Sequence, residues 1–337
     1  MSGAPVSSPG PVDWGLGWAR PGAENARLQW PALALAFAFA LLVLAQGVTA
    51  PFQKDAEPQS AEWVVSVVRD GQWLMPRDYF GLLDRKPPLY YWLSAIATLA
   101  SGATVDEARA RIVSVVAGAL LAVVILGWVA SKVGVADGWL SFLFILGTYG
   151  FASRATLALT DMLMTLLLFS GLLILYPLAN GEAPGASSSR AAAGGVVLGF
   201  GILTKGPVVL VLAALSIAIF FLLERRNPLT VLRSSWPWIV AAVALAIAAC
   251  WYAPWFAGGG RKVATIFEQE NFGHFAPSAL GGTGEASRPP WYMLARVIGG
   301  ALPLIVLFPA AALALWARVR IQRRIAIVEQ RIDFRGD

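Results

Sequence analysis

Charge is scarce in this chain. Asp, Glu, Lys and Arg make up 14% of 337 residues and hydrophobic residues 57%, a balance too apolar for a water-soluble domain. There is one cysteine, Cys250, and one histidine, His274. That excludes a disulfide framework and a zinc site. No nucleotide-binding glycine loop is present. The net charge of +6 does not point to nucleic acid, because six arginines lie between Arg318 and Arg335 and read as a cytoplasmic anchor. Residues 1–30 lack the signal-peptide order of charge, apolar stretch and small-residue cleavage site. Their Pro/Gly/Ser-rich composition predicts a disordered cytoplasmic tail.

What the chain does have is long apolar runs. A span needs about 20 such residues, so the fold class is all-α, a polytopic helical membrane protein. About eight spans are expected, near 31–50, 111–130, 138–153, 161–178, 192–204, 206–223, 236–256 and 291–316. Residues 31–316 form the membrane module, with outer loops at 51–110 and 258–290, and 317–337 form a basic cytoplasmic tail. Two amphipathic pieces of the first loop, 61–68 and 90–100, are too short to cross and are placed flat on the membrane surface. The turns at Lys132, 181–190 and 224–233 then fall inside, as the positive-inside tendency asks. Arg154, Asp161 and Lys205 fall outside, level with Lys86. The run 191–223 must be two helices broken at Lys205-Gly206-Pro207, which Gly-Pro permits. No internal repeat is visible, which disfavours a transporter.

Five segments could carry chemistry. In Lys54-Asp55-Ala56-Glu57-Pro58-Gln59-Ser60-Ala61-Glu62 a carboxylate can act as general base or the acids can take a divalent cation, or simply cap a helix. No other cofactor is indicated. Arg85-Lys86-Pro87-Pro88 presents cations at a helix entrance, where they can neutralise phosphate. The neighbouring Tyr90, Tyr91 and Trp92 equally suit interfacial anchoring. Arg154 and Asp161, seven residues apart, share a helix face if the helix runs that far. Lys205, amid apolar residues, must snorkel or meet an anion. The last segment, Glu268-Gln269-Glu270-Asn271-Phe272-Gly273-His274-Phe275, carries the lone histidine, which is more often a satisfied polar residue than a catalyst.

The ordered series is more specific than its parts. An acidic turn after the first span precedes Asp70-Gly71-Gln72-Trp73-Leu74-Met75-Pro76 and Arg85-Lys86-Pro87-Pro88-Leu89-Tyr90-Tyr91-Trp92. Then come Arg154 and Asp161, Gly201-Ile202-Leu203-Thr204-Lys205-Gly206-Pro207, and Glu270 to Phe275. Over about residues 30–316 this resembles the membrane glycosyltransferases related to protein O-mannosyltransferases and to the aminoarabinose transferases that modify lipid A. The resemblance implies a GT-C fold with an outward-facing cavity in the cytoplasmic (inner) membrane. It implies a polyprenyl-phosphate sugar donor and a lipid, glycan or protein acceptor, with membrane lipids as surroundings. Carried over by position, Asp55 or Glu57 is the catalytic base, and Lys86 and Lys205 bind phosphate. Arg85, Arg154, Asp161 and His274 complete the substrate site, although relatives usually carry arginine where His274 stands. Those relatives usually continue with further helices, so a minimal or truncated member is expected. The competing expectation is a non-catalytic membrane protein that retains the lipid-phosphate cavity.

Overall fold

The computed structural model describes residues 28–53, 56–102, 104–182, 187–272, 289–307, 309, 313, 316 and 317. Residues 1–27 and 318–337 of the tails, Asp55 and His274 lie outside the described residues. Among those described, the regular structure is helical: α1 (Trp30–Leu44), α2 (Ala56–Asp70), α3 (Leu89–Ala100), α4 (Glu107–Lys132), α5 (Val135–Leu146), α6 (Tyr149–Ala155), α7 (Asp161–Asn180), α8 (Ser187–Lys205), α9 (Val208–Leu223), α10 (Trp236–Phe272) and α11 (Pro290–Gly300). By length and composition α4, α7 and α10 can each cross a membrane, and so can α5 and α6 taken as one bent pair. The chain is a polytopic helical membrane protein.

Local sequence explains the helix ends. Asp106 caps α4, its carboxylate accepting from the Arg109 N–H at 2.8 Å, a favoured N-cap. Between α8 and α9 the chain reverses at Gly206, whose φ is +90°. The positive φ favours glycine, and a Cβ there would crowd the Asn271 side chain at 3.2 Å. Helices α8 and α10 approach closely because Gly195 and Gly199, one turn apart, face the Val240 and Ala244 backbone. That is the small-residue packing membrane helices use.

Two apolar clusters build the bundle. One unites α1, α4 and α5 with the α2–α3 layer, and the other unites α7 to α10. A third, around Leu203, Trp251, Trp255 and Val263, reaches Met75 and Leu83 of the segment between α2 and α3 and so fixes that segment over the end of α8 and the second half of α10.

Four expectations are corrected. The span expected at 138–153 is broken by a 67° bend between α5 and α6. The run 291–316 is not one helix, because α11 ends at Gly300 and turns follow it. The outer loop drawn at 258–290 begins as helix, since α10 continues to Phe272 after a kink at Gly260, φ 52°. Tyr90 and Tyr91, offered as interfacial anchors, are buried. The Tyr90 hydroxyl donates to the Ala110 carbonyl at 2.7 Å, and the Tyr91 ring packs edge-on against Trp63. Tyrosine in the interior is satisfied when its hydroxyl finds such a partner.

Candidate active site at the helix ends

Two ionic clusters sit where the α2–α3 segment meets the bundle. The first is closed. Glu57, at the start of α2, and Arg111, in α4, are both buried. Arg111 Nε donates to Glu57 Oε1 at 2.9 Å and Nη2 to Oε2 at 3.3 Å. Its other donors go to the carbonyls of Val48, Ala50 and Pro51, which accounts for all five guanidinium N–H groups. Glu57 also accepts from the backbone N–H of Ala158 at 2.9 Å and of Gln53 at 3.0 Å. Burial pushes the Glu57 carboxyl up, but the hydrogen bonds from Arg111, Ala158 and Gln53 outweigh it and hold it below its ordinary value. The pair therefore ties the end of α1, α2, α4 and the α6–α7 turn into one unit. Ser114 continues the seam, its hydroxyl donating to the Leu159 carbonyl at 3.0 Å.

The second cluster is half-buried. Asp161, first residue of α7, pairs with Arg154 of α6 through Oδ2 at 3.1 Å and with the Lys205 ammonium through Oδ1. Lys86 pairs with Glu270 of α10. These five side chains are 17% to 38% exposed. Arg154 and Asp161 do not share a helix as the spacing suggested: α6 stops at Ala155, and a turn brings the two together. Lys205 ends α8, where the helix dipole favours a cation.

Lys86, Arg85, Lys205 and Glu270 line one narrow cleft of about 20 Å³, walled by Trp251, Tyr252, Trp255 and Phe267. On the other side of Asp161, Arg154 borders a cavity of about 820 Å³ between α1, α6 and α11, which also touches Arg296 and Gln53. Asp161 thus stands between a cationic cleft and a large cavity. Below Lys86, Asp84 is buried, with Oδ1 accepting from the Lys86 N–H at 2.7 Å. Its Oδ2 has no partner among the described residues. Burial pushes this carboxyl well above its ordinary value, against the opposing Lys86 N–H and charge.

The structure brings Lys86, Arg85 and Lys205 to one cleft and joins Arg154 and Asp161 to it. Glu57 is bound instead within the closed cluster. Sequence reasoning missed Arg111, Asp84 and the role of Glu270. Arg111, two residues past Arg109 at the mouth of a 26-residue helix, was the available signal for the first.

The chain is similar to two undecaprenyl phosphate-alpha-4-amino-4-deoxy-L-arabinose arabinosyl transferases. With that of Shewanella sediminis it shares 23% identity over 256 residues, 76% of this chain and 45% of the relative. With that of an Enterobacter species it shares 23% over 300 residues, 84% of this chain and 50% of the relative. The chain therefore spans about half the length of the curated relatives it matches. Among solved structures it resembles ArnT from Cupriavidus metallidurans in the apo state, with TM-score 0.60 at 22% identity, covering 86% of this chain and 51% of that one. The same protein bound to undecaprenyl phosphate gives TM-score 0.58 at 22% identity, covering 85% and 51%. At that identity the likeness establishes the fold. Residues 85–253, half of the chain, match the family described as dolichyl-phosphate-mannose-protein mannosyltransferase, and the chain belongs to that family.

Proposed function

We propose that this chain is a glycosyltransferase module that moves a sugar from a polyprenyl-phosphate donor to a lipid, glycan or protein acceptor at the outer face of the cytoplasmic membrane. The observation that carries the reading is the convergence of Lys86 and Lys205 on one half-buried cleft at helix ends. Charges at such depth are costly unless they serve an anion or a pathway. In the ligand-free protein their anions are Glu270 and Asp161. The donor phosphate takes Glu270's place on Lys86, since the cleft has room for about one water otherwise.

The chemistry follows. An acceptor hydroxyl or amine attacks the anomeric carbon. The bond from that carbon to the phosphate oxygen breaks, and its electron pair stays on the phosphate. Lys86 and Lys205 stabilise that developing charge. The acceptor proton goes to a carboxylate. Asp55 is our base, while Glu57, with both oxygens taken by Arg111, Ala158 and Gln53, anchors the start of α2. Arg154 and Asp161 form the wall between donor cleft and acceptor cavity, with Arg85 lining the donor side and His274 assigned to the outer segment after α10. The names of the similar proteins favour undecaprenyl phosphate carrying an aminopentose as donor, and the resemblance to the aminoarabinose transferases makes lipid A the acceptor of choice. Residues 1–30 and 317–337 are assigned to the inner side.

The test is sugar transfer from a polyprenyl-phosphate donor by the full chain. Asp55→Asn should lower turnover at least a hundredfold while donor binding persists. Glu57→Gln should lower the folded yield instead. Wild-type turnover by Asp55→Asn contradicts the assignment of the base.

A further inference from the structure

Trp251 and Trp255 lie one turn apart on α10, with rings stacked at 4.8 Å and 26°. Both are buried and both wall the Lys86–Lys205 cleft. Their polar atoms differ. Trp251 Nε1 donates to the Leu74 carbonyl at 3.1 Å, which pins the outer loop. Trp255 Nε1 has no acceptor among the described residues. A buried N–H without a partner is uncommon and destabilising. Phenylalanine would fill the same stack without that cost.

We infer that the Trp255 indole N–H is a third donor to the lipid-borne phosphate, beside Lys86 and Lys205. This rests on the proposed donor site. The physical argument is one of geometry and valence. A phosphate monoanion or dianion offers several acceptor oxygens, and two ammonium groups as point charges do not fix its orientation. An indole N–H held by a stacked ring on a packed helix is directional, so it sets which oxygen faces the lysines and which carries the sugar. The aromatic wall of Tyr252 and Phe267, edge to face at 5.8 Å, holds that ring environment in place. When Glu270 leaves Lys86, the phosphate that replaces it enters the cleft that Trp255 borders.

The experiment measures binding of undecaprenyl phosphate and of undecaprenol, its uncharged counterpart, by the full chain in nanodiscs. Wild type should prefer the phosphate. Trp255→Phe should lower that preference about tenfold and leave undecaprenol binding unchanged, which a general loosening of the wall would not do. Replacing Trp255 by benzothienylalanine, which keeps both rings and removes only the N–H, should give the same loss even where the phenylalanine variant folds poorly. A wild-type preference in the benzothienylalanine protein, alongside a reduced one in Lys86→Ala, overturns the inference and leaves the donor site standing. A wild-type preference in Lys86→Ala as well overturns both.

Discussion

The Glu57–Arg111 pair and the Lys86/Lys205 cluster use the same kinds of charge to opposite ends. In the first, side chains are 2% and 0% exposed, every guanidinium N–H is used, and both carboxylate oxygens accept. An additional ligand could enter only by breaking bonds already made. In the second, two lysines stand beside Arg154, exposure is higher, and each ammonium is a compact point charge with donors to spare. Arginine's rigid fork suits a permanent joint, whereas lysine can exchange one anion for another. Saturation and burial therefore separate the structural ion pair from the one suited to substrate.

That contrast can be broken by substitution. The largest effect should come from Arg111→Met. It strands a buried carboxylate and three carbonyls, and breaking a buried pair costs about 3–5 kcal/mol. Loss of the cooperative thermal transition would show it, and a melting temperature within a degree or two of wild type would remove the joint from the account. Lys205→Met should cost only about 1 kcal/mol of stability, as for a partly solvated pair, measured by the same melts in detergent.

The smallest effects are in pH dependence, and they have opposite signs. The Glu57 carboxyl is held below its ordinary 4.5 by its hydrogen bonds. Its contribution is present above pH 4.5 and lost as pH falls through the lower native value. Glu57→Gln should therefore be less stable than wild type at pH 7, with the gap narrowing in acid. Asp84 is shifted the other way from 3.8 by burial. Its contribution is full below pH 3.8 and lost as pH rises through the higher native value. Asp84→Asn cannot ionise and keeps the acceptor for the Lys86 N–H. It should gain up to about 1 kcal/mol on wild type between pH 4 and 8. Melts across that range check both, and parallel curves would contradict the assigned protonation states.

The sequence made the second cluster far more legible than the first. Lys205 stood out because a cation amid apolar residues has few bland explanations, and the break between α8 and α9 at Gly206 followed from Gly-Pro. The order of Lys86, Asp161 and Lys205 along the chain carried the family resemblance. Hidden was anything that depends on three-dimensional pairing. Glu57 and Arg111 are 54 residues apart, so local reading saw an acidic turn and the start of a span. Tyr90 and Tyr91 read as interfacial because aromatic residues beside lysine suit both a headgroup layer and a core, and only the position of Ala110 and Ser114 decides. Glu270 was passed over because nothing local marks it as the counter-ion of Lys86. The bend at Gly147 lay inside an apolar run, where hydropathy is blind to direction, and the kink at Gly260 lay where the run meets Arg261 and Lys262, which reads as the start of a loop.

The central claim is that the half-buried lysines are an exchangeable anion site. Its most direct measurement is the thermal shift of the full chain on adding undecaprenyl phosphate. A ligand that binds only the folded state raises the melting temperature by mass action. Wild type and Asp84→Asn should both be stabilised. Lys86→Ala and Lys205→Ala should each weaken binding by about 2 kcal/mol, so at the same lipid concentration their shift should nearly vanish. Equal shifts in both alanine variants and in wild type would contradict the claim.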